Sequence, residues 1–392
     1  MSERIYLDHN ATTPLHPSVV DAMIPILRDG HGNPSSTHEE GATARRWVDR
    51  ARDQVAQCLC VSPAEIVFTG GATEANNTVL LGLDGVPGKI VTTEVEHPSV
   101  VAPLEWLEKI GVEVCRLKVG SDGLIDLAAL DAALETPTKL VSIIWANNET
   151  GVIQPMEQIA QRVKAAGVLL HVDATQAVGK APVDLSRVPA DFLACSAHKF
   201  NGPKGMGCLV VREGAACTSL LRGGPQERRF RGGTENVASI VGLGVAAERA
   251  REDLEARIEQ YAALRDRLWK TLRDRVPDVR RNGDPESTLC NTLNVEFVGV
   301  AGDILLQSLD LEGVAVSVGA ACHSGSINPS HVLTAMGRTP EQALASLRLS
   351  VGLGIDNAQV DRAAEILEIQ VAKVRAVGDS PGDLASSRPG QL

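Results

Sequence analysis

Through the first 210 residues, short apolar runs alternate with segments of helical periodicity. Glu65-Ile-Val-Phe-Thr69, Lys89-Ile-Val-Thr-Thr93, Lys139-Leu-Val-Ser-Ile-Ile-Trp145, Val168-Leu-Leu-His-Val-Asp173 and Gly207-Cys-Leu-Val-Val-Arg212 read as strands. Residues 98–111, opening on Pro98, and residues 156–166, following Pro155, read as helices between them. This alternation predicts a mostly parallel sheet covered by helices, with ligands at the carboxyl ends of its strands.

The pattern then changes. Leu254, Ile258, Tyr261, Leu264, Leu268 and Leu272 recur at steps of 4, 3, 3, 4 and 4, one apolar face of a single long helix expected over 246–276. Thr292-Leu-Asn-Val-Glu-Phe297 follows, then helices near 301–309 and 359–374, which suggests a second, smaller α+β domain. From about residue 378 the chain is rich in Ser, Pro and Gly and is expected to fray.

Composition narrows the class. Of the 392 residues, 44% are hydrophobic and 22% charged, the balance of a globular protein. A net charge of −11 disfavours general binding to nucleic acid or anionic membrane, and 5 Phe, 2 Tyr and 4 Trp offer few stacking platforms. No run approaches the roughly 20 apolar residues of a membrane span. The first residues lack the basic flank and apolar stretch of a signal peptide, so a cytoplasmic location is expected. Eight cysteines are too sparse for a disulfide scaffold, and Cys58 and Cys60 lie too close for a Cys-x-x-Cys ligand pair, so no metal is expected.

Five motifs carry candidate chemistry. In Thr69-Gly-Gly-Ala-Thr-Glu-Ala-Asn-Asn77 a strand runs into two glycines, with Thr73 expected as a helix N-cap, which makes an anion-binding corner. Asp173 ends an apolar strand, where a carboxylate needs a cation or donors. Lys199, in Ser196-Ala-His-Lys-Phe-Asn-Gly-Pro-Lys-Gly205, precedes a Gly/Pro-rich loop, and a lysine in a cleft can form a Schiff base. His97 follows a strand in Glu96-His-Pro98. In Val316-Ser-Val-Gly-Ala-Ala-Cys-His-Ser-Gly-Ser326, small residues surround Cys322, and His323 would favour its thiolate; a mobile, exposed loop is expected. Each alone also has a structural reading: capped turn, turn aspartate, solvated lysine, hydrogen-bonded histidine, incidental thiol. Together they form a kit for pyridoxal 5′-phosphate chemistry with sulfur transfer.

The ordered set Tyr6-Leu-Asp-His-Asn-Ala-Thr-Thr-Pro14, Gly32-Asn-Pro-Ser35, Gly70-Gly-Ala-Thr-Glu74, Glu96-His97, Asn147-Asn-Glu-Thr-Gly151, His171-Val-Asp-Ala-Thr-Gln176, Ala197-His-Lys199 and Arg231-Gly-Gly-Thr-Glu-Asn236 resembles the NifS/IscS-type cysteine desulfurases. These are class V aminotransferase-like enzymes of the fold-type I group that depends on pyridoxal 5′-phosphate. The resemblance implies an α/β fold: a large domain over 16–255 with a mostly parallel seven-stranded sheet, and a smaller α+β domain from 1–15 and 256–377. Residues 378–392 would be a disordered tail.

It also implies roles. Lys199 matches the Schiff-base lysine, Asp173 the partner of the pyridinium nitrogen, Gln176 the donor to the ring hydroxyl, and His97 the ring-stacking acid–base group. Thr73, Ser196 and His198 match phosphate ligands, with backbone near Ala72 helping, and Thr234 one donated by the other subunit of a homodimer. Asn148 and Arg348 match groups that hold substrate, with Asn148 also beside the cofactor; Asn10 and Asn33 join the substrate set. Cys322 matches the nucleophile that becomes a persulfide. The implied activity converts L-cysteine to L-alanine and passes sulfur to an acceptor protein for iron–sulfur cluster or other sulfur-compound synthesis. Selenocysteine lyase on the same scaffold and a non-catalytic sulfur-relay scaffold are the alternatives. Ala197 stands where many relatives carry Gly, and Val351-Gly-Leu-Gly354 lacks a second arginine that often follows the one matched by Arg348.

Overall fold

The computed structural model describes residues 4–83, 85–215, 217–318 and 328–378, with backbone alone at 377 and 378. Cys322, with the loop expected around it, and the tail from 379 onward lie outside the described residues. The strands are β1 (Ile5–Tyr6), β2 (Ile66–Thr69), β3 (Lys89–Thr93), β4 (Val114–Leu117), β5 (Thr138–Ile144), β6 (Leu169–Asp173), β7 (Phe192–Ser196), β8 (Gly207–Val211), β9 (Val279–Arg281), β10 (Thr292–Phe297), β11 (Val314–Ala315) and β12 (Ser346–Ser350).

Seven of them form one sheet in the order β2-β8-β7-β6-β5-β3-β4. All joins from β7 to β4 are parallel, and β8 runs antiparallel to both of its neighbours. The fold is therefore the expected α/β one with a mostly parallel sheet. Both faces are buried, which is why its strands read as apolar runs rather than alternating ones. Along β7, Leu193 and Cys195 pack with the helices Pro17–Asp29 and Glu39–Leu59. Phe192 and Ala194 face the other way, toward the helices Ala72–Gly82 and Pro98–Lys109.

A second core gathers around the three-stranded sheet β12-β10-β9, with β1 and β11 paired in parallel beside it. The single long helix expected over 246–276 is instead two, Val237–Glu252 and Leu254–Arg275, broken at Asp253. The reason is a change of packing partner. Val237–Glu252 lies on Pro17–Asp29 and Glu39–Leu59 of the large core, whereas Leu254–Arg275 buries Tyr261, Leu264, Leu268 and Leu272 in the small core against Asn357–Gly378. One straight rod cannot serve both. No Gly or Pro marks the break, so the periodicity runs through it.

Strand register brings two carboxyl ends together. At the start of β8, Gly207 pairs with Thr69 at the end of β2 and with Ser196 at the end of β7. Two antiparallel steps make β2 and β7 point the same way, so their carboxyl ends meet across Gly207. A Cβ at Gly207 would stand 2.4 Å from the Cys195 carbonyl oxygen and 2.8 Å from the Gly71 Cα. Only glycine allows that approach.

The outer end of the sheet is pinned by a buried ion pair. Arg52 donates to both oxygens of Glu227 at 2.9 and 2.7 Å and to the Ile66 carbonyl at 2.7 Å, with its guanidinium 4.6 Å from the Phe68 ring centroid. Glu227 also accepts from the Phe68 N–H at 2.9 Å. Truncating one partner leaves the other charge buried, so Glu227→Ala is expected to cost about 3–5 kcal/mol. Chemical denaturation of the cofactor-free protein measures this, and a loss below about 1 kcal/mol, the range of an exposed pair, would contradict the assignment.

Candidate active site

A cavity of about 740 Å³ lies at the carboxyl ends of the strands, between the large sheet and the β12 layer. Its corner is the turn after β2. The expected N-cap, Thr73, is displaced by Gly71, whose φ of 141° is open to glycine and starts the helix at Ala72. Thr73 thus sits in the first turn, where helix geometry leaves the N–H groups of Ala72, Thr73 and Glu74 without intrahelical acceptors. The Glu74 carboxylate accepts from the Gly70 N–H at 2.8 Å and from Arg231 Nε at 3.1 Å. Its charge is therefore already engaged. The Ser196 hydroxyl lies 3.5 Å from where a Gly71 Cβ would stand, and His198 follows on the same turn. Burial, then the charges of Lys199, Lys204 and Lys180, draw the His198 imidazole down to about 4, so it is neutral near pH 7.

Lys199 Nζ donates to the main-chain carbonyls of Asn10 at 2.7 Å and Ala11 at 2.8 Å. Burial lowers its pKa to about 8, helped by Arg348 and opposed by Asp8 and Asp173. Asp173 is buried at the end of β6, accepting from the Thr175 N–H at 3.0 Å and from Asn76 Nδ2 at 2.8 Å.

The same Asn76 amide donates to Ser99 Oγ at 2.9 Å, and Ser99 Oγ lies 2.8 Å from His97 Nδ1. The Ser99 N–H donates to Nδ1 at 3.1 Å, which makes Nδ1 an acceptor, so the Ser99 hydroxyl gives its proton to the same nitrogen. With Nδ1 an acceptor, the neutral imidazole carries its proton on Nε2. Burial holds the ring below its ordinary value, Asp173 opposing and Lys199 reinforcing the shift.

From the small layer, β12 delivers Arg348. It donates to Asp8 Oδ1 at 2.6 Å and to the Asn148 carbonyl at 3.0 Å, while its buried Nε has no partner among the described residues. Asn10 ties the two layers together. Its carbonyl accepts from Lys199 and Gln176, and its amide donates to Thr292 Oγ1 at 2.8 Å and the Asn148 carbonyl at 3.3 Å.

Of the residues singled out in the sequence, Asn10, Ala72, Thr73, His97, Asn148, Asp173, Gln176, Ser196, His198, Lys199 and Arg348 line this cavity. Thr234 is exposed in an adjoining recess of about 170 Å³ that shares Gly70 and Gly205 with it. Asn33 is exposed elsewhere, its Oδ1 accepting from the Ser35 N–H at 2.9 Å. Sequence reasoning missed Asn76, Ser99 and Asp8. Asp8 lies within the motif Tyr6-Leu-Asp-His-Asn10, and Asn76 lies two positions beyond Glu74 on the helix.

These groups fit pyridoxal 5′-phosphate: an anion corner without a side chain at Gly71, a buried carboxylate for a ring nitrogen, an amine of lowered pKa and a guanidinium with a spare donor. The class-V aminotransferase family model matches residues 5–363. A cysteine desulfurase of Nostoc sp. is 45% identical over 97% of this chain and 96% of its own length. A cysteine desulfurase IscS of Dictyoglomus turgidum is 41% identical over 96% and 97%. Among solved structures, a NifS-like protein superposes with a TM-score of 0.88 at 36% identity, covering 94% of this chain and all (100%) of that one. SspA in complex with cysteine gives 0.79 at 33% identity, covering 88% of this chain and 98% of that one. The chain belongs to the class-V aminotransferase family, in its pyridoxal 5′-phosphate-dependent cysteine desulfurase branch.

Proposed function

We propose that this cavity converts L-cysteine to L-alanine and that Cys322 takes the sulfur as a persulfide for delivery to an acceptor protein. The observation that carries the reading is the convergence of Lys199, Asp173 and Arg348 on one cavity at a helix N-terminus. Thr73, Ser196, His198 and the first-turn N–H groups would hold the cofactor phosphate, Asp173 the ring nitrogen, and Gln176 the ring hydroxyl. When bound, the cofactor supplies an aldehyde and an electron-withdrawing ring that stores the electron pair of a broken Cα–H bond.

Arg348, which lines the cavity, fixes the substrate carboxylate, with Asp8 and the Asn148 carbonyl setting the plane of the guanidinium. Lys199 Nζ moves the α-proton. The His97 Nε2–H faces the substrate as a donor. The Cys322 thiolate attacks the substrate sulfur: an S–S bond forms, the Cβ–S bond breaks, and the carbon fragment keeps the electron pair and is protonated to alanine. No external oxidant is needed.

The reading includes a homodimer in which Thr234 of each chain completes the phosphate site of the other; the exposure of Thr234, which leaves its hydroxyl free to reach another chain, supports it. It also includes a cytoplasmic location, which suits a persulfide carrier and the seven free thiols among the described residues. No helix of the described residues is long and apolar enough to cross a membrane. An iron–sulfur scaffold or another sulfur carrier is the proposed acceptor.

Incubation with L-cysteine is expected to give alanine and a sulfur adduct on Cys322 by peptide mass spectrometry. Cys322→Ser should still take up pyridoxal 5′-phosphate yet lose nearly all sulfide release. Full desulfuration by that variant would overturn the carrier role.

The pKa of Lys199 gives a second expectation. The nucleophile is the neutral amine, and a value of about 8 leaves about a tenth of it neutral at pH 7, against less than about a thousandth for an ordinary lysine. Cofactor capture by the cofactor-free protein should therefore rise with pH and level off above about 8 in stopped-flow absorbance. A rate that climbs past pH 10 would contradict the lowered value.

A further inference from the structure

Behind Gln176 lies a second buried lysine. Lys180 is 5% exposed, and its Nζ donates to Gln176 Oε1 at 2.5 Å and to Asn10 Oδ1 at 3.4 Å. Gln176 in turn donates one amide hydrogen to the Asn10 carbonyl at 2.9 Å, the same oxygen that receives Lys199 Nζ at 2.7 Å. Gln176 lines the cavity, and its second amide hydrogen has no acceptor among the described residues.

An amide side chain fits its pocket either way round, so its polarity must be set by a neighbour. An ammonium has three donors and no acceptor, so it holds Oε1 toward Lys180. The Asn10 carbonyl, an acceptor only, holds the NH2 end in the same sense with one hydrogen to spare. Burial and the charges of Lys199 and Arg348 draw the Lys180 amine down to about 7, with Cys290 opposing. Even the neutral amine keeps two N–H groups, one for each of these two oxygens. A buried amine repelled by two cations is a poor stabiliser, so its effect lies in what it orients.

We propose that Lys180 is a positioning residue that locks the carboxamide of Gln176 with its donor end toward the cofactor ring hydroxyl. This rests on the proposed role of Gln176 in holding pyridoxal 5′-phosphate. The lock is geometric: the two side chains lie one helical turn apart in sequence, and Gly179 lets that turn pack behind Lys199. At Gly179 φ is 74°, and a Cβ would stand 2.9 Å from the Phe200 Cβ.

The test is a double-mutant cycle on cofactor affinity, with the full-length, cofactor-free protein titrated with pyridoxal 5′-phosphate and followed by visible absorbance. Lys180→Met is expected to weaken binding about tenfold in the unaltered background and by less than about twofold when Gln176 is already Leu. Its melting temperature without cofactor should not fall, since a desolvated charge is removed. Lys180→Gln, a smaller change that keeps an N–H donor, should bind more tightly than Lys180→Met. Equal losses from Lys180→Met in both backgrounds, or no gain for Lys180→Gln, would overturn the proposal. If Gln176→Leu alone leaves affinity unchanged, the proposal falls while the reading of the cavity stands. If the unaltered protein takes up no cofactor, both fall.

Discussion

The active site depends on two strand ends flanking one residue of the strand between them, and the close approach of the turn after β2 depends on that residue having no side chain. Gly207 faces Thr69 on one flank and Ser196 on the other. On the first flank the chain turns through Gly71 into a helix whose N-terminus gathers unpaired N–H groups. On the second, three residues carry it from Ser196 to Lys199. The anion corner and the amine are thus neighbours because of backbone packing, before any side chain acts.

The charges then set one another. Lys199 loses basicity by burial and by facing Arg348, while Asp8 and Asp173 limit the loss. Asp8 also orients the arginine that lowers Lys199. Asn76 joins Asp173 to Ser99 and, through Ser99, to His97, so one buried amide links the carboxylate to the imidazole in one hydrogen-bonded chain. Asn10 spans the layers, its carbonyl on the lysine side and its amide on the β10 side. The cavity is a single electrostatic unit built from two cores.

Much of this was legible in the chain. Apolar runs marked β2, β3, β5, β6 and β8 because a sheet buried on both faces needs them. The spaced motifs marked the cavity because strand ends and their turns hold its chemistry. Other features left no local mark. β4 is short, and Val114, Cys115 and Arg116 in it are only half-buried, so no apolar run announces it. The break at Asp253 reflects a change of tertiary partner, and helix-forming residues surround it. Asn76 and Lys180 are polar residues whose type alone points to solvent; the packing of other elements over them shows that they are buried. Gly71 took the cap from Thr73 because a backbone with positive φ outranks a side-chain preference at that corner.

The most direct test of this dependence on backbone packing is the cofactor affinity of Gly207→Ala. The added methyl would collide with the Cys195 carbonyl and the Gly71 backbone, pushing the anion corner away from Ser196. The expected product is a protein that still folds, with helical circular dichroism retained, but binds pyridoxal 5′-phosphate at least about tenfold more weakly. Unchanged affinity in a folded Gly207→Ala protein would show that the meeting of β2 and β7 is not what builds the site.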